Sequence, residues 1–363
     1  MINKINFGED VSLQINNLEI FHTYTFIDSK TNEKTKTGKL FPSKNLPQLF
    51  FKDIVQQYEL FDIDYIFLTS PELGDNYFLA SYIEEFKKSH NNPKIAILLR
   101  EDKCKEMIKT FGTVDKIIVD KYWFNKNFNN NHSIPQIKSK SVIKIHFPFF
   151  HKKIIPATFK EHYAYLLGLH DKTKTTIPKI PEKYLEFAQK EYKRLNLNPQ
   201  NTIILSPFSQ YFNSNLIPVN FWLKLAQELE KTGYNVLFNT KDEIYRYKYE
   251  NIFPNEILEL IAMISMAKQI ISTRAGLNDI LAGYGLCNQI ALYPHGLEIM
   301  KFNVFKKFNE YNKKYLKNDI NKIFNLHSLK TQFQNDCSEI IYDKQTDVTE
   351  EIIKNIKGEI YGR

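Results

Sequence analysis

The stretch Gln269-Ile-Ile-Ser-Thr-Arg-Ala-Gly-Leu-Asn-Asp-Ile-Leu-Ala-Gly-Tyr-Gly285 decides the fold class of the chain. Its apolar start at residues 269–271 predicts a short β-strand, and the spacing of Leu277 and Leu281 predicts a helix directly after it. A strand that turns tightly into a helix leaves backbone N–H groups unpaired at the helix N-terminus, where they can hold an anion. A second apolar run at residues 289–292 completes a βαβ unit, whose strand ends are the usual ligand position.

The turn between this strand and this helix carries candidate ligand-binding residues. Ser272, Thr273 and Arg274 place two hydroxyl groups and a fixed positive charge at the turn. Gly276 has no Cβ, so a ligand can approach the backbone closely there. The alternative is an ordinary strand-to-helix turn with a surface arginine.

Length and composition indicate a globular protein of two domains. The chain has 363 residues, of which 43% are hydrophobic and 25% charged, and this size allows two cores. No apolar run approaches the roughly 20 residues that span a bilayer, and the N-terminus lacks the pattern of a signal peptide. The three scattered cysteines predict a reducing cytoplasm and no structural disulfide.

The formal net charge is +8, which could attract nucleic acid, an anionic membrane surface or a phosphorylated substrate. The lysines occur along the whole length, so a composition bias explains the charge equally well. Residues 301–317 combine lysines with aromatic residues, but their spacing is that of a packed helix. We therefore expect no nucleic-acid partner.

Strands and helices alternate in two series, which predicts an α/β protein with mostly parallel sheets. The predicted strands are residues 64–68, 94–99, 116–119, 141–145, 202–205, 234–238, 269–271 and 289–292. The predicted helices are residues 76–88, 103–110, 159–169, 182–195, 219–231 and 256–267.

Four regions follow from this pattern. Residues 1–62 form an N-terminal extension, with a hairpin or small sheet over residues 12–27 and a helix over residues 44–60. Residues 63–180 and 181–310 form two Rossmann-like domains, which a polar segment with two prolines, residues 171–181, connects. Residues 311–363 are predicted to be helices, which could cross back to the first domain.

Polar residues follow the predicted strands in both halves, where open α/β sheets bind ligands. The first half contributes Glu72, Gly74 and Asp75. The second half contributes Ser206, Ser209, Asn239, Glu243, Ser272, Thr273, Arg274, Asp279 and His295. This distribution predicts an anionic ligand on the second half and a proton acceptor on the first.

The same residues resemble the heptosyltransferase-type enzymes of glycosyltransferase family 9. The segments that carry the resemblance are Leu73-Gly-Asp-Asn-Tyr-Phe-Leu-Ala80, Pro93-Lys-Ile-Ala-Ile-Leu98, Val114-Asp-Lys-Ile-Ile118, His162-Tyr-Ala-Tyr-Leu-Leu-Gly-Leu169 and residues 203–296. Together they span roughly residues 64–300. The resemblance implies the GT-B fold, in which two Rossmann-like, doubly wound domains face each other across a cleft.

The family's second-domain motif, Asp-Ser/Thr-Gly-Leu-x-His, corresponds here to Arg274-Ala-Gly-Leu-Asn-Asp279. Ala275, Gly276 and Leu277 occupy its middle, while arginine replaces the aspartate and Asp279 replaces the histidine. The lysine that is usual after the first strand of this domain is absent from residues 210–215. A nucleotide sugar remains the expected donor, with Arg274 supplying a cation at its phosphates.

The family's Gly-Asp motif corresponds to Gly74 and Asp75, which implies that Asp75 is the base that accepts the proton of the acceptor hydroxyl. Asp75 could equally cap its helix. Asn239, Glu243 and His295 are candidates for the ribose, base or sugar, with loop positions as the alternative. No Asp-x-Asp follows a strand, so we expect metal-independent transfer without a cofactor, and the resemblance implies inversion.

The predicted function is hexosyl or heptosyl transfer from a nucleotide sugar to a bacterial surface glycan, in capsule or lipooligosaccharide synthesis. The expected location is the cytoplasm, with peripheral contact to the inner membrane, where a glycolipid acceptor would lie. Two alternatives are a nucleotide-sugar epimerase of the same fold and a non-catalytic binding subunit.

Overall fold

The computed structural model of the chain describes residues 58–60, 62–68, 73–99, 101–120, 158–170, 173–208, 217–252, 254–294, 328–343 and 346–358, and the backbone of six further strands. The chain forms two compact units, Met1–Thr176 and Ile177–Arg363. The division lies beside the predicted junction of residues 180 and 181.

The N-terminal segment contains five short strands. They are β1 (Ile2–Phe7), β2 (Leu13–Ile15), β3 (Leu18–Ile20), β4 (Thr23–Asp28) and β5 (Lys34–Lys39). Strands β1, β4 and β5 form an antiparallel sheet in the order β1-β4-β5, and β2 pairs with β3 as a hairpin. The hairpin or small sheet predicted over residues 12–27 is confirmed. Most of the helix predicted over residues 44–60 lies outside the described residues.

The rest of the first unit is a parallel sheet with helices between its strands. Its elements are β6 (Tyr65–Leu68), α1 (Leu73–Ser89), β7 (Ile95–Leu99), α2 (Lys105–Lys109), β8 (Lys116–Val119), β9 (Ser141–Lys144) and α3 (Phe159–Leu166). The strand order is β8-β7-β6-β9, and every pairing is parallel. Strands β7 and β9 therefore lie on opposite sides of β6, and the chain reverses its direction of winding at this strand.

Aromatic contacts position α1 on this sheet. The ring of Phe86 packs edge-on against Tyr65 and Phe67 of β6, with ring centroids 5.1 and 5.4 Å apart. The ring of Phe78 stacks on Tyr163 of α3 at 5.4 Å. Such pairs add to the burial of large apolar surfaces, so contacts with β6 and α3 hold α1 in its position.

The second unit is a parallel sheet of five strands. Its elements are α4 (Glu182–Arg194), β10 (Thr202–Ser206), α5 (Val219–Lys231), β11 (Asn235–Phe238), α6 (Glu243–Arg246), α7 (Ile257–Met266), β12 (Gln269–Thr273), α8 (Gly276–Gly283), β13 (Gln289–Pro294), α9 (Leu329–Phe333), β14 (Ser338–Tyr342) and α10 (Thr349–Ile356). The order is β11-β10-β12-β13-β14. The winding reverses between β10 and β12, and this position is the topological switch point of the sheet.

Helices cover both faces of this second sheet. Alternate strand residues, such as Ile203 and Leu205, pack in one buried cluster with Trp222 of α5 and Ile352 of α10. The other face packs against α8 and α9, where Ala291 lies in a second cluster. The unit is therefore doubly wound, and strands that are buried on both faces explain the continuous apolar runs of the sequence.

Strand β14 corrects the prediction that residues 311–363 are helical. The segment Ser338–Tyr342 pairs in parallel with β13. Ile340 and Tyr342 alternate into the main core while Glu339 and Ile341 point away from it. This alternation extends over only five residues, too few to outweigh the helical neighbours in a sequence pattern, and pairing with β13 decides the conformation.

The other predicted strands and the predicted helices outside the N-terminal extension are all present, so the parallel α/β class is confirmed. Their observed ends differ from the predicted ones by a few residues at most, as is usual for element boundaries. None of the three cysteines forms a disulfide, and Cys104 and Cys337 are buried whereas Cys287 is exposed.

Candidate functional site

The turn from β12 to α8 lies at the switch point of the second sheet and presents backbone N–H groups. Ala275 is the N-cap of α8, and its N–H donates to Oδ1 of Asn278 at 2.9 Å. In the part of the chain that the structure describes, the N–H groups of Gly276 and Leu277 have no acceptor. Residues 275–277 are also partly exposed, whereas the residues on either side of them are buried. The turn therefore offers two amide donors at the positive end of the helix dipole.

Arg274 lies beneath this turn rather than on the surface. Its guanidinium forms a bidentate pair with Asp279, with Nη1–Oδ2 at 2.9 Å and Nη2–Oδ1 at 2.5 Å. It also donates to the carbonyl of Ala275 at 2.6 Å and to the hydroxyl of Tyr293 at 3.2 Å. The side chains of Arg274 and Asp279 are 4% and 9% exposed. The alternative of a surface arginine is wrong, and direct contact of Arg274 with a ligand phosphate stays a prediction.

Burial governs the protonation of this pair. Loss of solvent raises the pKa of the Asp279 carboxyl above its ordinary value, although Arg274 pulls in the opposite direction. Burial opposes the charge on Arg274, but the Asp279 carboxylate outweighs that effect and the pKa of the guanidinium is raised. Arg274 therefore keeps its positive charge, and Asp279 neutralises most of it at short range.

A second buried network fixes the turn from the other side, and Asn278 is its centre. Besides accepting from Ala275, its side-chain amide donates to Oγ of Ser272 at 2.7 Å and to Oε1 of Gln289 at 3.1 Å. Asn278 and Gln289 are fully buried. The sequence prediction missed both residues, and an asparagine at the third position of a helix after a small N-cap is the signal that could have found Asn278.

The predicted hydroxyl and amide side chains do converge at the carboxyl ends of three neighbouring strands. Thr273 Oγ1 donates to the carbonyl of Pro207 at 2.9 Å, which joins the ends of β12 and β10. Asn239 Nδ2 donates to Ser206 Oγ at 3.0 Å, which joins β11 to β10. These side chains are buried and satisfy one another, so their described contacts shape the edge of the sheet.

For three other predicted site residues, Ser209, Glu243 and His295, the part of the chain that the structure describes shows no contact at the turn. Glu243 is the exposed first residue of α6, behind the N-cap Asp242. Ser209 and His295 lie outside the described residues. The predicted contact of Ser209 with the donor phosphates therefore stays a prediction, and so do those of Glu243 and His295 with a ribose, base or sugar.

In the first unit, Gly74 and Asp75 lie in the first turn of α1, directly after the strand at which the winding reverses. Gly74 is buried and Asp75 is partly exposed. Asp75 is the third residue of α1, where the helix dipole stabilises a carboxylate, and both of its predicted roles, base and cap, stay predictions. Glu72 lies outside the described residues.

The described residues contain neither a metal-binding cluster nor a membrane-spanning helix. In those residues, no group of three or more His, Cys, Asp or Glu side chains could hold a metal ion. None of the described helices is both long enough and apolar enough to cross a membrane.

The fold is similar to that of solved glycosyltransferases. The family 9 glycosyltransferase from Veillonella parvula matches 81% of this chain over 91% of its own length, with a TM-score of 0.51 and 16% identity. The ADP-heptose lipopolysaccharide heptosyltransferase II of E. coli matches 82% of this chain over 99% of its own length, with a TM-score of 0.53 and 11% identity. No family model and no curated protein matches the sequence. Because the sequence identities are only 16% and 11%, these comparisons show similarity of the fold alone.

Proposed function

We propose, from a fold shared with the family 9 glycosyltransferases, that this chain transfers a sugar from a nucleotide-sugar donor to a glycan acceptor. The observation that carries the proposal is the turn at Ala275–Leu277, which presents two amide donors at the switch point of the second sheet. A diphosphate is the ligand chemistry that fits amides at a helix N-terminus. The E. coli neighbour is described by its name as using ADP-heptose. Here the nucleotide and the sugar are left open.

The proposed chemistry needs stabilisation of a nucleoside diphosphate as it leaves. The N–H groups of Gly276 and Leu277 would donate to its phosphate oxygens, and the field of the helix would favour their negative charge. Arg274 contributes positive charge from beneath the turn, although Asp279 offsets much of it. Direct displacement on this basis needs no metal ion and would invert the anomeric centre.

Asp75 is the proposed base for the acceptor hydroxyl. Its carboxylate is partly exposed in the first turn of α1, where a substrate hydroxyl can reach it. Transfer then requires that the switch points of the two units face each other across a cleft, as in the GT-B fold. A positioned carboxylate base contributes about 10²–10⁴-fold to a transfer rate.

Donor binding is tested first, because it requires no knowledge of the acceptor. A thermal-shift screen against nucleoside diphosphates and nucleotide sugars should raise the melting temperature for at least one nucleotide. Replacing Gly276 by proline removes one amide donor at the first helical position, where proline is tolerated. The extended backbone of Ala275 before it also suits a following proline.

The matched control is Glu182→Pro, which removes the corresponding amide from α4 in the same unit. We expect Gly276→Pro to weaken nucleotide binding about tenfold or more, the effect of losing one hydrogen bond to a charged group. Glu182→Pro should bind as the natural chain does. Equal binding by both variants would show that the nucleotide does not use this turn.

The role of Asp75 is tested with the donor that the screen identifies. Asp75→Asn should lower transfer to a lipid-linked or oligosaccharide acceptor by at least about a hundredfold, while leaving nucleotide binding unchanged. Asp75→Ser would keep a hydrogen-bonding side chain in the first turn of α1 without a carboxylate base. Near-normal transfer by the serine variant would show that Asp75 is not the base.

One observation favours a second candidate, a non-catalytic binding subunit. The side chains of Ser206, Thr273, Arg274 and Asp279 are buried and engaged with other protein groups. Nucleotide binding without any transfer or sugar release would support this candidate. Release of an epimerised sugar without an acceptor would instead indicate an epimerase.

We also propose peripheral contact with the inner face of the cytoplasmic membrane, where a lipid-linked bacterial surface glycan would be the acceptor. The net charge of +8 supports this, because each lysine or arginine near an anionic bilayer contributes about 1 kcal/mol. Co-sedimentation with anionic vesicles should occur at low salt and disappear at high salt. Absence of binding at low salt would end this part of the proposal.

A further inference from the structure

A glutamate from the last strand reaches the hydrogen-bond network beneath the turn. Glu339 of β14 accepts from the hydroxyl of Tyr293 at 2.5 Å. The same Tyr293 hydroxyl accepts from Nε of Arg274 at 3.2 Å. Arg274 in turn holds both the carbonyl of Ala275 and the carboxylate of Asp279. A continuous series of hydrogen bonds therefore joins β14 to the N-cap of α8.

The position of Glu339 is itself fixed by several donors. Its carboxylate accepts from the N–H of Leu329 at 2.6 Å and from the hydroxyl of Ser328 at 2.8 Å, at the start of α9. From the same short helix, the buried Gln332 forms a hydrogen bond with Asp279. Helix α9 and strand β14 thus contact the ion pair from two directions.

We infer that Glu339 and Tyr293 are positioning residues, which hold Arg274 so that the amides of Gly276 and Leu277 keep their orientation toward a ligand. The inference rests on the proposed function for the identity of that ligand, a nucleoside diphosphate. Glu339 and Tyr293 do not touch the ligand. They act through Arg274, whose hydrogen bond to Ala275 sets the backbone immediately before the two free amides.

The Tyr293 hydroxyl is the connection to remove. Its loss separates Glu339 from Arg274 but leaves the ring, the Arg274–Asp279 pair and the donors at the start of α9 in place. An arginine with one hydrogen bond fewer can rotate within its pocket, and the Ala275 carbonyl moves with it. Tyr293→Phe therefore tests positioning with the smallest change in volume.

The same unit contains a matched control. Tyr184 of α4 is also buried, and its hydroxyl also donates to a glutamate carboxylate, that of Glu256, at 2.5 Å. This pair joins α4 to the start of α7, and none of its described contacts reaches the turn. Tyr184→Phe removes a tyrosine–glutamate hydrogen bond of the same kind. It therefore controls for the stability that such a bond contributes to the unit as a whole.

The experiment compares the natural chain with Tyr293→Phe, Glu339→Leu, their double variant and Tyr184→Phe. One measurement is hydrogen exchange without ligand in peptides that cover residues 272–283. The other is the Kd of a nucleoside diphosphate by calorimetry, using the nucleotide from the thermal-shift screen. Thermal unfolding establishes that each variant is folded before either measurement.

We expect Tyr293→Phe and Glu339→Leu, which removes the acceptor, each to raise the exchange rate in these peptides and the nucleotide Kd about tenfold, the scale of one hydrogen bond to a charged group. The double variant should be no worse than the single ones, because both interrupt one series of contacts. Tyr184→Phe should leave exchange at residues 272–283 and the Kd unchanged.

Unchanged exchange in Tyr293→Phe would overturn the inference, and so would an equal effect in Tyr184→Phe. Additive effects in the double variant would overturn the proposed connection through Tyr293. If the natural chain binds no nucleotide, the proposed function fails, whereas the exchange measurement still decides whether Glu339 and Tyr293 position the turn.

Discussion

Arg274 and Asp279 occupy two of the positions at which this chain departs from the family motif that it resembles, and they contact each other. Both side chains are almost fully buried and form a bidentate ion pair. Removing one partner would leave an unpaired buried charge, which typically costs about 3–5 kcal/mol. The two departures therefore form one change, in which an arginine and an aspartate replace an aspartate and a histidine.

A carboxylate on the surface of the second unit provides a test at the residue scale. Asp347 accepts from Nζ of Lys224 at 2.5 Å and from the N–H of Thr349 at 3.0 Å. These contacts lower the pKa of Asp347 from 3.8 to about 2. Because the folded pKa is the lower one, the stability that this group contributes is present above pH 3.8 and is lost as the pH falls toward 2.

We expect Lys224→Met to raise the pKa of Asp347 only part of the way toward 3.8, because the contacts with Thr349 remain, and NMR titration of the carboxyl carbon would measure the change. Lys231→Met is the control, since Lys231 pairs with Glu228 instead. A pKa of Asp347 that stays near 2 in Lys224→Met would assign the shift to Thr349 alone.

At the scale of elements, the turn between β12 and α8 is fixed by two separate networks. Arg274 holds it from the side of β13 and β14, and Asn278 holds it from within α8. The amides of Gly276 and Leu277 are left between these two anchors. A rigid scaffold that presents a few unpaired donors is the arrangement that binding sites require.

Replacing Asn278 by alanine should destabilise the second unit by about 3 kcal/mol or more. The variant would leave the buried Ser272 hydroxyl, the Ala275 amide and the Gln289 side chain short of a partner, at about 1–3 kcal/mol for each unsatisfied group. Urea unfolding would measure the change. Asn220→Ala, at an exposed position in α5, should stay within about 0.5 kcal/mol of the natural chain. Equal losses in the two variants would contradict the role given to Asn278.

At the scale of the whole molecule, the second unit contains a complete sheet with helices on both faces. Its last elements close the core, since Ile340 and Tyr342 of β14 and Ile352 and Ile356 of α10 are all buried in it. The C-terminal segment is therefore an integral part of the second unit.

A fragment of residues 177–363 should consequently fold alone and unfold cooperatively in a thermal melt followed by circular dichroism. A fragment of residues 177–328 lacks α9, β14 and α10 and should show no cooperative transition. The four buried side chains named above are among those it loses, at about 1.5–3 kcal/mol each, a sum comparable with the total stability of a domain. A shorter fragment that melts at the same temperature would contradict this account.

The sequence by itself determined the class of the fold and the position of the candidate turn. Apolar runs at strand length alternate with helical spacing, and this local periodicity is enough to place eight parallel strands and the helices between them. The strand-to-helix turn at residues 272–276 was predictable because its signal, an apolar run ending in small and polar residues, is also local.

Only the tertiary structure decided what the polar side chains of that turn do. From the sequence alone, Arg274 is interpreted as a cation that can bind a phosphate. In the fold, Arg274 instead contacts Asp279 and Tyr293, and Tyr293 connects it to Glu339. Glu339 comes from a strand whose pairing partner lies more than 40 residues earlier in the chain. Contacts over such separations depend on how strands order within a sheet, and no local pattern of residues encodes them.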